Sequence, residues 1–341
     1  MARFRVLMVG TGAMAGEWVP YTLTRNDAEF VGLVEIVKPR AEEFRGHFHL
    51  NCGVYDDLAA AIRETGANLV YNITPPETHK DVVLTAMREG CDVFGEKPMA
   101  DTLENALALL EAAKKCNKTY SVMQNRRFLK TTQDFKMFMK TSGIGPIGFV
   151  TTEFYIHHSP IGSFRDSLKH ALLLDMSVHH FDMLRYMFDV DPVSVYCHEF
   201  APAGSWFTDK PAAVCVFEMT KGLVFEYTGY WTGRTQQTLW EGTWRANGAM
   251  GSAIWNQKNE QYAEVLKYAD PRKGDEAEHL TASDFYHGLE WHSGCIENMY
   301  ESLLAGKPAL TDCTDNIKSM AMVFAAIKSA EEQRKVEVVS Q

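Results

Sequence analysis

Short apolar runs alternate with amphipathic stretches through the first third of the chain. FRVLMVG (4–10), EFVGLVE (29–35), NLVYNIT (68–74), CDVFGE (91–96) and TYSVMQ (119–124) are strand-length and rich in β-branched and aromatic residues. Between them, WVPYTLTR, DDLAAAIRE, THKDVVLTAMREG and TLENALALLEAAKKC carry helical patterns, with Thr102 as an N-cap and Gly90 as a stop. Strand and helix in alternation predict a doubly wound parallel sheet.

Beyond about residue 125 the rhythm changes. The pattern predicts a helix near 132–140, a turn at GIGPIG (143–148) and an extended run FVTTEFYI. Three further strands follow, PVSVYCHEF, AAVCVFEMT and LVFEYTGYW, the last two joined through Lys221-Gly222 as a hairpin. Consecutive strands without intervening helices predict a large, mainly antiparallel sheet. Helices are expected at about 283–305 and 315–333. The chain thus reads as an α/β protein of two domains, 1–124 and 125–341, a division that its 341 residues also suit.

One predicted helix is unusual. In LLDMSVHHFD (173–182) and its continuation, Asp175, His179, Asp182 and Tyr186 fall within roughly 60° of arc at about 100° per residue. Leu173, Leu174, Met176, Val178, Phe181, Leu184, Met187 and Phe188 fill nearly all of the remainder. Buried carboxylates are costly without partners, so this stripe must be paired internally or line a cavity. His180 points away from it and reads as packing.

Composition narrows the function. With 34 basic and 44 acidic residues the formal charge is −10, and no Lys/Arg-rich run offers a phosphate-tracking patch, so nucleic acid is not an expected partner. Seven cysteines without a C-x-x-C pair suit reduced thiols and a cytoplasmic protein. Arg3, Arg5, VLMVG and AMA (13–15) outline a signal peptide, but an apolar core of about five residues is shorter than the usual 7–15. No apolar stretch approaches the ~18 residues of a membrane span, so no membrane partner is expected.

The candidate chemistry lies at strand ends. GTGAMAG (10–16) follows the first strand and opens a helix, giving G-x-G-x-x-A with Gly10, Gly12 and Ala15, and with Ala13 and Met14 in the loop. The first glycine permits the turn, the second lets backbone approach a pyrophosphate, and the small third residue allows helix-on-strand packing. The helix N-terminus offers amides to phosphate. Glu35, about 25 residues on, is placed to bind a ribose diol and to repel a 2′-phosphate, with Lys38 and Arg40 able to soften that discrimination. ITPPETH (73–79) brings Thr74 and Pro75, and with them His79, to the carboxyl edge where ligands of such sheets bind. GEKPM (95–99) delivers Lys97, a compact mobile charge, to the same edge.

GTGAMAG, TPPETH, EKPMA, QNRRF and LLLDMSVHHFD, in this order, resemble the glucose–fructose oxidoreductase and inositol dehydrogenase family, Gfo/Idh/MocA. The resemblance implies an N-terminal Rossmann domain, a C-terminal domain with a large open sheet, NAD as cofactor with NADP possible, and Lys97, Asp175 and His179 as the catalytic group. It adds Glu96, Lys97 and Asn125 to the cofactor contacts. From the residues themselves, Arg126 or Arg127, just past the sixth strand, either contacts substrate or caps the domain junction, and one of the strand-end pair His157 and His158 binds substrate; Arg126 and His158 are taken to join Lys97, Asp175 and His179 as substrate contacts. Many members carry glycines shortly before the Asp motif, whereas this chain has HALLLD.

On this reading the stripe and Lys97 serve one nicotinamide site. His179 acts as general base, Lys97 as electrostatic partner and proton relay, and Asp175 orients both; lysine as base is the alternative assignment. The expected reaction is NAD(H)-dependent hydride transfer at a secondary hydroxyl or ketone of a sugar, glycoside or cyclitol. A same-fold lyase or glycosidase using NAD transiently, and a non-catalytic NAD or sugar sensor, are the rivals. No metal is expected, although His157 and His158 near Asp175 and His179 would make a mononuclear site conceivable. Trp231, Arg234, Trp240 and Trp244 form an aromatic and basic set suited to sugar rings or to packing. Strands apolar on both faces predict a homodimer or homotetramer.

Overall fold

The computed structural model describes residues 2–158, 162, 165 and 167–340. Residues up to Phe128 together with Leu289–Met320 form one compact unit, and Leu129–Gly288 with Ala321–Ser340 form the other.

The first unit is built on six parallel strands: β1 (Phe4–Val9), β2 (Ala28–Val34), β3 (Gly53–Tyr55), β4 (Leu69–Asn72), β5 (Asp92–Gly95) and β6 (Tyr120–Val122). Their order is β3-β2-β1-β4-β5-β6, so the winding reverses between β1 and β4 and the strand ends part there. Helices α1 (Ala15–Thr24), α2 (Lys38–His47), α3 (Leu58–Thr65), α4 (His79–Arg88) and α5 (Leu103–Cys116) make the crossovers. Every residue of β4 is buried, as expected for a strand covered on both faces. Thr102 caps α5 by accepting from the Asn105 amide at 3.1 Å.

The second unit contains α6 (Lys130–Thr141), β7 (Ile147–Tyr155), α7 (Val178–Phe188), β8 (Pro192–Phe200), β9 (Ala212–Met219), β10 (Val224–Tyr230), β11 (Thr243–Gly248), β12 (Gly251–Trp255), β13 (Gln261–Leu266) and β14 (Ala277–Thr281). With the C-terminal β15 (Val336–Glu337) they form a nine-stranded sheet in the order β14-β13-β12-β11-β7-β10-β9-β8-β15. All pairings are antiparallel except β7 with β10. Lys221 and Gly222, both at positive φ, turn β9 into β10 as the hairpin pattern predicts. Helix α7 covers one face, with Phe181 edge-on to Phe217 at 4.9 Å and to Tyr227 at 5.2 Å. The opposite face exposes Phe149, Val193, Tyr196 and Val216 by 41–47%.

Three features depart from the sequence pattern. The segment 289–320, expected in the second domain, packs with the first unit. Its helix α8 (Trp291–Ala305) buries Cys295, Ile296, Met299 and Tyr300 in the core that holds Phe4, Trp18, Tyr71 and Phe94, and the Tyr300 and Tyr71 hydroxyls meet at 2.6 Å. The helix expected from 283 begins only at Trp291, because Asp134 pins the backbone amides of Phe285 (3.0 Å) and Tyr286 (2.8 Å) in a non-helical course. Finally, the last helix, α9 (Cys313–Glu332), is divided between the units at Met320.

The helix carrying Asp175 also differs from the regular pitch assumed for its stripe. Residues Leu172–Ser177 form a π-helical turn that continues into α7. Leu172 packs on Gly229 of β10, where a Cβ would come within 2.6 Å of its Cδ2. Among the described residues no helix is long and apolar enough to cross a membrane.

Candidate functional site

In the first unit the ligand edge begins at Gly10. Its φ is +88°, and a Cβ there would lie 2.6 Å from the Ile73 carbonyl oxygen, so only glycine fits where β1 leaves the sheet beside β4. Gly12, Ala13 and Met14 are exposed, and nothing lies within 4 Å of a Cβ built on Gly12. Ala15 is fully buried under α1. The tip of this loop, with Arg40, Phe44 and Phe48, borders a groove of about 620 Å³.

Glu35 follows β2 and is only 6% exposed. Its Oε2 accepts from the Thr11 amide and hydroxyl, each at 3.0 Å, and its Oε1 accepts from the Val37 amide at 3.0 Å. Burial raises its pKa, but these bonds and the nearby Arg40 outweigh burial and hold the carboxyl below its ordinary value. Arg40 Nη1 stands 3.8 Å from Oε1 and is itself half exposed, so the carboxylate expected to reject a 2′-phosphate has a cation beside it. A glycine that a Cβ would disrupt, an open loop tip and a fixed buried carboxylate together fit the phosphates and ribose of a dinucleotide.

The loops after β4 and β5 flank this edge. Thr74 donates its hydroxyl to Asn72 Oδ1 at 2.6 Å, and Pro75 is exposed. His79, expected to touch the cofactor, instead has no exposed surface: Nδ1 lies 2.9 Å from the Pro98 carbonyl and Nε2 lies 2.8 Å from the Thr74 carbonyl. Burial pushes its pKa down against the pull of those carbonyls and of Glu96 and Glu77. Glu96 is likewise buried, with Oε1 accepting from Trp18 Nε1 at 2.8 Å and Oε2 from the Lys97 amide at 3.2 Å. Lys97 is half-buried, and the Met99 carbonyl accepts from the Tyr120 hydroxyl at 2.9 Å. The lysine loop is therefore braced before and after Lys97.

Asn125 and Arg126 are buried beyond β6. Asn125 Nδ2 stands 3.5 Å from the ring nitrogens of His292, whose Nε2 is 3.9 Å from Glu96. Arg127 donates to the Leu310 carbonyl at 2.5 Å and to Asp315 at 2.6 Å, fixing the return segment within the unit. His292 and Trp18 were missed by sequence reasoning. No local motif marks His292, and the sequence pattern places its helix in the other domain.

In the second unit Asp175 (8% exposed) and His179 (7%) lie in the π-turn and in the first turn of α7. Arg165 Nε donates to Asp175 Oδ2 at 2.5 Å, a charge-assisted bond that sequence reasoning did not foresee. His158 belongs to the same cluster: burial, then the Arg165 guanidinium, pushes its pKa down, and Asp175 opposes them. The His158 ring stacks on Trp231 at 5.0 Å, and Trp206 Nε1 donates to its carbonyl at 2.8 Å. His180 faces inward, with Nδ1 3.2 Å from the Tyr227 hydroxyl and Nε2 3.1 Å from the Trp240 carbonyl.

The rest of the predicted stripe divides. Asp182 is 1% exposed, while the Tyr186 hydroxyl donates to Gln133 of α6 at 2.9 Å and its ring lies under Lys136. The aromatic and basic set divides too: Trp231 and Trp244 are core residues at 1% exposure, whereas Arg234 lies over Trp206 at 5.6 Å.

Residues 4–124 match the oxidoreductase family model for an NAD-binding Rossmann fold, and residues 165–338 match the same family's C-terminal alpha/beta domain. An uncharacterized protein, y4oX, of Sinorhizobium fredii is 26% identical over 96% of this chain and 93% of its own. Inositol 2-dehydrogenase of Rhizobium meliloti is 23% identical over 97% and 98%, and D-glucoside 3-dehydrogenase of Escherichia coli 27% over 59% of each chain. Among solved structures, an Agrobacterium radiobacter oxidoreductase in complex with NAD+, L-tartaric acid and magnesium superposes with a TM-score of 0.85 at 17% identity, covering 99% of both chains. Levoglucosan dehydrogenase in complex with NADH and L-sorbose gives 0.80 at 18% identity over 99% of this chain and 100% of that one. These likenesses confirm the fold, and the matched domains identify the chain as a member of the Gfo/Idh/MocA oxidoreductase family, with that family's NAD-binding Rossmann domain at its N-terminus.

Proposed function

We propose that this oxidoreductase is an NAD-preferring dehydrogenase that interconverts a secondary hydroxyl and a ketone on a sugar, glycoside or cyclitol. The observation that carries the reading is the presence of Lys97, Asp175 and His179, the residues proposed as an acid–base set, in a chain whose first domain matches an NAD-binding fold. A sensor that only binds ligand needs no such set, and relatives that act on inositols and a D-glucoside supply the substrate class.

Bound NAD supplies the hydride acceptor. The protein must then remove the hydroxyl proton and stabilise negative charge growing on the same oxygen. His179 takes the proton and becomes imidazolium, while the Lys97 ammonium stabilises the developing alkoxide; a relay through Lys97 begins with the ammonium releasing one of its own protons to solvent and then accepting the one His179 carries. Asp175 orients the pair, a role that suits a carboxylate anchored by Arg165 at 2.5 Å. His158 and Arg126 contact substrate in this reading.

Screening inositols, aldoses and glycosides with NAD and NADP, followed by nicotinamide absorbance, tests it. Net NADH formation with a member of the panel supports the dehydrogenase. Turnover with no net absorbance change favours a lyase or glycosidase that borrows hydride transiently.

The apolar residues on the uncovered sheet face, Phe149, Val193, Tyr196 and Val216, support a homodimer or homotetramer formed there. A monomer by light scattering at micromolar concentration would refute that assembly. Seven cysteines without a C-x-x-C pair support a reducing, cytoplasmic setting.

A further inference from the structure

We propose that His79 is a positioning residue for Lys97, a buried imidazole that ties the loop after β4 to the lysine loop after β5 and so sets where the catalytic ammonium stands. The inference rests on the reading of Lys97 given above.

The geometry is specific. The His79 ring lies at the start of α4 with no exposed surface, and its two nitrogens reach carbonyls on different loops: Thr74, two residues past β4, at 2.8 Å, and Pro98, the residue after Lys97, at 2.9 Å. Both are normal hydrogen-bond lengths; the imidazolium donates to both carbonyls, whereas the neutral ring, which burial favours, donates to one and packs its other nitrogen against the second. Two other braces of the lysine loop act from elsewhere: Trp18 of α1 holds Glu96, and Tyr120 of β6 holds Met99. Only His79, among these, grips the lysine loop and the Thr74–Pro75 edge at once.

A side chain could reach two buried carbonyls without any functional consequence. What distinguishes His79 is where they stand. Pro98 is bonded covalently to Lys97, and Thr74 precedes exposed Pro75 at the carboxyl edge, where ligands of doubly wound sheets bind. Displacing a catalytic group by about 1 Å costs on the order of 100-fold in rate even when every reacting group is retained. Loss of the His79 tie therefore predicts a defect in turnover larger than any defect in dinucleotide binding.

The test compares His79→Phe, which keeps ring volume and removes both ring nitrogens, with His79→Gln, whose amide N–H groups can rebuild a bond to at least one carbonyl. NADH affinity is read by fluorescence titration. Acetylation of Lys97 by an amine-selective ester, followed by mass spectrometry with and without NAD, reads the position of the ammonium independently of turnover.

For His79→Phe we expect NADH affinity within about threefold of the parent, a kcat about 10- to 100-fold lower on a substrate from the panel with KM little changed, and a shifted acetylation rate at Lys97. His79→Gln should recover part of both the kcat and the acetylation rate. A folded His79→Phe protein with parental kcat and parental acetylation overturns the proposal. So does collapse of both variants to unfolded protein, which would make His79 a stability residue alone. Retained turnover in Lys97→Met would overturn the reading of Lys97, whereas the acetylation arm would still report whether His79 fixes the loop.

Discussion

Arg165 Nε donates to Asp175 Oδ2 at 2.5 Å, so the carboxylate of the D-x-x-x-H motif is anchored by an arginine ten residues upstream. Asp175 is 11% exposed at its side chain and Arg165 31%, so the pair is partly shielded from solvent. Charge-assisted hydrogen bonds of this kind contribute about 1.5–3 kcal/mol. Arg165→Met should therefore lower kcat/KM by roughly 10- to 100-fold while NADH affinity holds, because the NAD-binding Rossmann fold belongs to the other unit. Arg165→Lys should lie between Met and parent, since a lysine keeps the charge and loses the planar fork. Steady-state kinetics beside an NADH titration checks this, and equal losses in the Lys and Met variants would show that charge is not what Arg165 supplies.

The environment of Glu35 makes cofactor choice a contest between two side chains. Thr11 and Val37 fix the carboxylate, and Arg40 approaches it at 3.8 Å from the surface. A 2′-phosphate would meet repulsion from Glu35 and attraction from Arg40, each of order 1–4 kcal/mol at intermediate dielectric. The parent should prefer NAD without excluding NADP. Arg40→Ser should lower kcat/KM with NADP by about tenfold and change the NAD value little. An NADP preference in the parent would mean that the basic residues win and that Glu35 does not discriminate.

How much of this was legible depended on how many sides of an element are buried. Strands with one covered face, such as β10, alternate cleanly along the chain, and the hairpin at Lys221-Gly222 follows from that alternation. Strand β14 exposes four of its five residues and carries almost no apolar signal, and β3 is a three-residue edge, so neither can be read from pattern. The pitch of the helix at 172–188 was hidden for the opposite reason. Apolar residues surround it on nearly all sides, so the pattern looks the same at π as at α pitch. The apolar stripe of α8 is visible as Cys295, Ile296, Met299 and Tyr300, but a stripe says only that it is covered, and not by which sheet. The motifs point to Gly10, Glu35 and Lys97 because strand-end chemistry is local in sequence. Arg165, His292 and Trp18 act over 10 to 196 positions, distances at which one sequence carries no pattern.

A pH-dependent stability contribution is expected just before the π-turn. His170 Nδ1 meets Glu199 Oε2 at 2.6 Å, its amide donates to Asp209 at 2.9 Å, and Glu331 stands 3.5 Å from Nε2. The Glu199 bond raises the pKa of His170 above its ordinary value, against burial and with help from the charges of Glu199, Asp209 and Glu331. A raised folded-state value means that the cation is stabilised by folding. Its contribution is complete below the unfolded pKa, about 6.5, and is lost as pH rises through the folded value. The melting temperature of the parent should fall across that window more steeply than that of His170→Asn/Glu199→Gln. Asparagine tolerates the +52° φ at 170, and the second change avoids leaving a buried carboxylate unpaired. Parallel pH profiles for the two proteins would show that this pair does not couple folding to protons.

The proposed chemistry makes its sharpest demand on Lys97 and His179 together. Lys97→Met keeps much of the stem volume and removes the charge, leaving Gly10, the loop tip and Glu35 to bind dinucleotide. Alkoxide stabilisation and the proton relay should be lost with the ammonium. General acid–base groups typically contribute 10²–10⁴-fold, so Lys97→Met and His179→Ala should each lower kcat by an amount in that range with NADH affinity nearly intact. If both serve one proton-transfer event, the double variant should be little worse than the poorer single one, as expected for residues that act as a unit. Losses that multiply would instead mean that the two groups act in separate steps. A folded, NADH-binding Lys97→Met protein with near-parental turnover would leave the acid–base set without its lysine, and the sensor reading would then account better for a fixed Asp175 beside His179.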